Sequence, residues 1–313
     1  MASITKETLT EQNESSTATV MSMIRSGGAK LNKVDEHKNK EPSQTQSSVP
    51  AIPLTNTYTG KKYAVPTPPS QADKNRKEIL IQSKWDVHLD TSPPTPILNE
   101  ENQDHQQRPF PEETFVLDSV FSQEECARLL NSAEEAGFGT TNYNQSYRGN
   151  LRLITTDAAL TERLWERIKA FVPSKMTDKW GSEWVAVGLN ERCRLSKYYP
   201  GDRFQMHEDA QYIKSDKVRS HFTVNIYMNG GFEGGQTRFY YPPTEEDPIT
   251  GRWIKGDVQC AVVPAPGRCL IFRQPPEAHL LHDGEELGSG VKYLLRSDVM
   301  YKTEEDKGAA FNF

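Results

Sequence analysis

No stretch of this 313-residue chain is long and apolar enough to cross a bilayer as a helix. The N-terminal stretch MASITKETLTEQNESS also lacks the apolar run of a secretory signal and carries acids that a mitochondrial presequence avoids. The expected location is therefore cytoplasmic, with the nucleus open, and no membrane partner is expected. A basic excess is missing too. The 37 Lys and Arg face 43 Asp and Glu, and a formal net charge of -6 gives no surface that steers toward phosphate backbones, so nucleic acid is not an expected partner. Cysteine is scarce: Cys126, Cys193, Cys260 and Cys269 fall in no CxxC or ladder-like spacing, which argues against a disulfide framework and fits a reducing compartment.

Apolar residues are sparse up to about residue 108, where Ser, Thr, Asn, Gln, Lys, Glu and Pro dominate. Such a composition cannot bury enough surface to offset its ordering entropy. Residues 1–108 are thus expected to form a largely disordered tail, and 109–313 the folded domain. Within the tail, AVPTPPS and TSPPTPIL favour polyproline II and read as spacer more readily than as ligands for a recognition domain.

Beyond residue 109 periodicity sets in. Thr114 to Leu117 reads as a short strand, and Ser122 with Glu125 forms a capping-box signature ahead of Cys126, Leu129, Leu130 and Ala133 on one helical face, ended by Gly137. Leu160, Leu164, Trp165, Ile168 and Phe171 predict a second helix from about Asp157 to Val172, closed by Pro173. From Trp184 the pattern becomes short β-branched and aromatic runs: 192–198, 222–228, 237–241, 258–263, 269–272 and 291–301. The expected fold is mainly β (α+β): a jelly roll with its core at about 184–303 and two or more supporting helices on one side.

His207 and Asp209 are two apart in RLSKYYPGDRFQMHED, so on a strand they share a face while Glu208 points away. Alone this HxD is weak. A later histidine in HDGEELGSGVKYLLRSDVMY would complete a two-histidine, one-carboxylate triad, which leaves adjacent coordination positions open as an oxygenase requires and as a closed structural zinc site does not. Four segments in order, YYPGDRFQMHED, FTVNIYMNGGFEGGQTRFYYP, VVPAPGRCLIF and HDGEELGSGVKYLLRSDVMY, resemble the 2-oxoglutarate/iron(II) oxygenases, and among them the prolyl 4-hydroxylase-like branch. The resemblance covers about residues 190–301, more loosely from 110.

It implies a double-stranded β-helix in which His207, Asp209 and His282 ligate Fe(2+) and are the catalytic residues. Lys292 is implied to pair with the far carboxylate of 2-oxoglutarate, with Tyr198 as a cosubstrate contact. L-ascorbate is implied as the agent that keeps iron reduced. The implied reaction joins 2-oxoglutarate, O2 and substrate to give succinate, CO2 and a hydroxylated product. The substrate is peptidyl proline by resemblance, with a small molecule or another amino-acid side chain as the alternative; a catalytically silent binding module is the non-enzymatic reading. Tyr199 competes with Tyr198, and His279 with His282, although only His282 is followed by Asp and Gly. Arg296, on the Lys292 face, is either a second anchor or substrate contact, or an arginine at the mouth paired with a surface acid. His221 reads as a core or edge histidine. The glycines of NGGFEGGQT reflect turn chemistry, since no Lys-Ser/Thr follows. PPTEEDPITGRWIKGD is a polar insertion that reads equally as lid or surface loop.

Overall fold

In the computed structural model of the chain, the Ser122 hydroxyl accepts from the Glu125 N–H at 3.1 Å and the Ser122 N–H donates to the Glu125 carboxylate at 2.9 Å. This reciprocal cap opens α1 (Gln123–Ala136), which ends at Gly137 with φ +88°. Asp157 caps α2 (Ala158–Ile168), and the last turn expected before Pro173 is a 3-10 turn, Lys169–Phe171. The fully buried Glu125 carboxylate does more than cap. It accepts from both Arg167 terminal nitrogens, at 2.8 and 2.7 Å, and from the Asp90 N–H at 2.9 Å, tying α1, α2 and residue 90 together.

The structure describes residues 79–81, 89–90, 94–98, 110–246, 248–249, 254 and 256–304; the rest of the expected tail lies outside the described residues. The chain divides into two units, Met1–Val49 with Pro243–Lys255, and Pro50–Pro242 with Gly256–Phe313. In the first, the Ile254 N–H donates to the Glu245 carbonyl at 2.8 Å.

The strands of the second unit are β1 (Ile79–Ile81), β2 (Ile97–Leu98), β3 (Thr114–Asp118), β4 (Gly139–Thr140), β5 (Leu151–Thr156), β6 (Lys175–Thr177), β7 (Glu183–Leu189), β8 (Arg192–Tyr198), β9 (Phe204–His207), β10 (Ile213–Ser215), β11 (Val218–Tyr227), β12 (Glu233–Gly234), β13 (Thr237–Tyr240), β14 (Val258–Val262), β15 (Cys269–Arg273), β16 (His282–Gly284), β17 (Leu287–Ser289) and β18 (Lys292–Lys302). A large sheet runs β1-β5-β8-β18-β11-β15-β3-β2, with β4, β6, β7 and β10 on its margins; a small sheet runs β14-β13-β16-β9. Two of these strands lie in the segment expected to be tail. β1 pairs in parallel with β5, β2 pairs with β3, and Leu89 is buried in the core.

Strand alternation separates two cores. Phe222, Val224 and Ile226 of β11, Tyr293 and Leu295 of β18, and Leu195 of β8 turn toward Leu129 and Leu130 of α1 and Leu164 and Ile168 of α2. Their neighbours Tyr227, Leu270 and Phe272 face Phe239, Cys260 and Val262 of the small sheet. The fold is therefore a jelly roll backed by helices on one side of the large sheet. Near one end its interior turns polar, because the inward positions there are Thr223 and Asn225 of β11, Ser196 and Tyr198 of β8, and Lys292 and Arg296 of β18. Among the described residues, no helix is long and apolar enough to cross a membrane.

Candidate metal centre

β9 and β16 are neighbours in the small sheet with His207 directly opposite His282, so their rings project from one face with centroids 4.3 Å apart. Asp209 is not on the strand with His207, as its spacing suggested. β9 ends at His207, and Asp209 lies in the loop that follows. Its carboxylate still arrives at the same place: Oδ1 is 3.6 Å from His207 Nε2 and Oδ2 is 3.8 Å from His282 Nε2. The three buried residues offer donor atoms that all lie within 4.8 Å of one another.

The donor set suits a divalent cation. His207 Nδ1 and His282 Nδ1 lie 2.7 and 2.8 Å from the carbonyls of Gln205 and Leu280. A carbonyl only accepts, so each Nδ1 carries the hydrogen and each Nε2 presents a lone pair. Burial, reinforced by the neighbouring His207, pushes His282 down to about 4 and keeps it in its neutral, ligating form at pH 7. Burial opposes ionisation of Asp209, yet Arg296, His207 and His282 together hold its carboxyl well below the ordinary carboxylate range.

The distal strand has its own brace. Asp283 accepts from Arg238 Nε and Nη2 at 2.9 and 2.7 Å and from the Tyr240 hydroxyl at 2.7 Å, locking β16 to β13 next to His282. Replacing Arg238 by Met is expected to lower unfolding free energy by about 2 kcal/mol, the worth of a charge-assisted bidentate pair, measurable by urea denaturation.

Lys292 opens β18 opposite Tyr198, the last residue of β8. Its Nζ is buried, donates to the Gly235 carbonyl at 2.5 Å, and lies 5.3 and 5.5 Å from the ring centres of Tyr198 and Tyr227. An ammonium has three donors, and among the described residues one protein acceptor answers them. Burial pushes Lys292 down to about 8, the cost of an under-paired buried charge. Gly235 permits the arrangement: at φ +70°, a Cβ there would sit 3.1 Å from Lys292 Cδ and 3.0 Å from Leu287 Cδ1. Tyr199 turns the other way, into the helix-backed core.

His279 is not among the clustered donors. It is exposed and meets the Glu208 carboxylate at 3.0 Å, which also shows where Glu208 points. His221 is fully buried against Trp184, 4.9 Å between ring centres. Arg296 pairs with no surface acid: its Nη1 donates to Oδ1 of the buried Asp209 at 2.6 Å.

Sequence reasoning did not single out the wall beside His207. Phe204 stacks on the His207 ring at 3.6 Å, Tyr147 meets Phe204 edge-on at 5.6 Å, and the Arg148 guanidinium lies 4.2 Å over Phe204 and 5.3 Å from the half-exposed Tyr143 ring. Only Phe204, three residues ahead of His207 on a strand, carried a local signal. Tyr143, Tyr147 and Arg148 reach it through a long-range bridge between Arg148 and Phe204.

Residues 193–296 match the sequence model of the 2OG-Fe(II) oxygenase superfamily. No curated protein matches the chain significantly. Among solved structures, the viral collagen prolyl hydroxylase of Paramecium Bursaria Chlorella virus-1, in its 2OG complex, is 19% identical over 61% of this chain and 96% of its own, with a TM-score of 0.39. A Pseudomonas putida prolyl-4-hydroxylase is 15% identical over 60% of this chain and 91% of its own, at a TM-score of 0.39. An oxidoreductase of the 2OG-Fe(II) oxygenase family from Burkholderia pseudomallei is 15% identical over 64% and 89%, again at 0.39. The span similar to the 2OG-Fe(II) oxygenase superfamily holds His207, Asp209, His282 and Lys292, together with the strands that carry His207, His282 and Lys292.

Proposed function

We propose that the protein is a prolyl 4-hydroxylase-like dioxygenase in which His207, Asp209 and His282 hold Fe(II), while Lys292 and Tyr198 receive the far carboxylate of 2-oxoglutarate. The observation that carries this reading is the pairing of a preset His-Asp-His donor set with a buried, under-paired ammonium in one jelly-roll interior. Bound iron and 2-oxoglutarate would supply the oxidising power, consuming O2 and releasing succinate and CO2.

The chain's own residues supply the rest. His207 and His282 keep their Nε2 lone pairs aimed inward through Nδ1 hydrogen bonds to backbone. Lys292 offers its two remaining N–H donors to a carboxylate, and the Tyr198 and Tyr227 rings beside it exclude water, which strengthens that pair. Thr223 and Arg296 orient the Asp209 carboxylate. Ascorbate would restore iron(II) when turnover is uncoupled from substrate.

The wall of Tyr143, Tyr147, Phe204 and Arg148 favours a peptide over a small metabolite. Proline-rich segments dock by laying their rings on aromatic faces, with a polyproline II conformation that costs little entropy to bind. This wall runs from a half-exposed tyrosine to the ring stacked on His207. A proline-rich peptide is expected to stimulate 2-oxoglutarate turnover and to gain one oxygen on proline by mass spectrometry. Tyr147→Ala should raise the peptide concentration for half-maximal stimulation roughly threefold to tenfold, the worth of one aromatic contact. Turnover indifferent to peptide, with a small-molecule substrate oxidised instead, would replace the proline reading.

A further inference from the structure

Three charged side chains sit behind the donor set: the buried Asp298 and the partly buried Arg296 and Arg194. The Arg296 guanidinium lies between two carboxylates: Nη1 donates to Asp209 Oδ1 at 2.6 Å, and Nη2 is 3.6 Å from Asp298 Oδ1. Arg194 Nη1 reaches the other Asp298 oxygen at 3.4 Å. The second Asp209 oxygen is held separately, by the Thr223 hydroxyl at 2.9 Å. Thr223 in turn accepts from Gln274 Nε2 at 2.9 Å, the same nitrogen lies 3.1 Å from Asp298 Oδ1, and Ser220 donates to Gln274 Oε1 at 2.7 Å. Thr223, Gln274 and Ser220 are completely buried.

Both oxygens of Asp209 are therefore gripped from behind, by groups fixed to different strands of the large sheet. A carboxylate oxygen has about two lone pairs, so each retains one after these bonds. The retained pairs face the Nε2 atoms of His207 and His282. We propose that Arg296 is a positioning residue for Asp209: clamped against Asp298 and assisted by Thr223, it fixes the one carboxylate orientation that lets a divalent cation be shared with His207 and His282. This rests on the reading of His207, Asp209 and His282 as the metal site.

Charge and positioning predict opposite effects, which makes the inference testable. The two carboxylates of Asp209 and Asp298 balance the two guanidinium groups of Arg296 and Arg194 here. On charge alone, removing Arg296 leaves a net negative cluster and should tighten a cation. On positioning, removal frees the Asp209 carboxylate to rotate and should weaken it, by the roughly 10–100-fold that loss of an outer-shell partner costs in metal affinity.

The experiment is titration of the full-length, metal-free protein with Co(II) alone, following both affinity and the ligand-field absorption of the bound ion. Arg296→Met, close in shape and uncharged, is expected to weaken cobalt at least tenfold and to change the absorption bands. Arg296→Lys keeps the charge and one donor direction, and should fall between the two. Thr223→Val, nearly isosteric, loosens the other oxygen and should weaken cobalt several-fold with a band change in the same sense; it stands as the test if Arg296→Met does not fold. Wild-type affinity with unchanged bands in Arg296→Met and Thr223→Val, or tighter binding in Arg296→Met, would overturn the proposal while leaving the metal site standing. A wild-type protein that binds no cobalt would overturn the metal site and this inference with it.

Discussion

Asp209→Ala is expected to abolish iron-dependent 2-oxoglutarate turnover and, separately, to destabilise the metal-free fold. The first effect follows from losing the single anionic donor of the set, and the affinity loss should exceed the roughly 10–100-fold of an outer-shell change. The second follows from Arg296, which is largely buried and would lose its closest carboxylate partner. Breaking a buried pair by removing one member costs about 3–5 kcal/mol, because the remaining charge stays desolvated. Asp298 still touches Arg296, so the lower end of that range is expected. Equilibrium urea unfolding of the metal-free protein reads this directly.

The pH dependence carries a sign. Burial works against the ionised Asp209, but Arg296, His207 and His282 outweigh it and hold the carboxyl well below its usual value. A group whose pKa is depressed by folding stabilises the fold above its unfolded value, near 4, and loses that contribution as pH falls through the folded one. Wild type should thus lose stability steeply on acidification below about pH 4, and Asp209→Ala less steeply; in wild type the lowered His282 contributes a separate loss that accrues between about pH 6.5 and 4.

Lys292→Met is the second large effect. A charge-assisted hydrogen bond to a buried carboxylate contributes about 1.5–3 kcal/mol, so the KM for 2-oxoglutarate is expected to rise roughly 10–100-fold. Cobalt affinity should be unchanged, since Lys292 does not touch the donor set. Burial has already lowered the Lys292 pKa to about 8. In the free enzyme the KM for 2-oxoglutarate should therefore climb as pH passes about 8 and the ammonium is lost, and Lys292→Met should show no such rise. The same shift acts oppositely on the fold without cosubstrate. The unfolded chain keeps the proton up to about 10.5, so the penalty of burying the ammonium shrinks between pH 8 and 10.5 and stability rises with pH over that window. A Met variant with wild-type KM at pH 7 would remove Lys292 from the cosubstrate site.

The parts of this structure written in local chemistry were readable in advance. The capping box of Ser122 and Glu125 and the apolar face of Leu129, Leu130 and Ala133 need only neighbours in sequence, and α1 begins and ends where they place it. Alternation along β8 and β18 separated Tyr198 from Tyr199 and put Lys292 and Arg296 on one face. What escaped depends on distant partners. β5 was not anticipated because its run Leu151–Thr156 carries Arg152 among apolar residues and is defined by pairing with β8. β1 and β2 hide in polar surroundings and exist as ladders against β5 and β3. Asp209 reaches the cavity from a loop, where strand alternation has no authority. The Asp209 partner of Arg296 lies 87 residues away, and no spacing rule distinguishes it from a surface acid.

The central claim is that one interior binds a divalent metal through His207, Asp209 and His282 and a dicarboxylate through Lys292. Succinate release from 2-oxoglutarate by the full-length protein, with and without Fe(II), tests it most directly when wild type, Asp209→Ala and Lys292→Met are run side by side. The account predicts iron-dependent succinate from wild type, none above background from Asp209→Ala, and recovery of Lys292→Met only at high 2-oxoglutarate. Wild-type protein that releases no succinate and binds no 2-oxoglutarate in the presence of iron, or an Asp209→Ala variant as active as wild type, would contradict it.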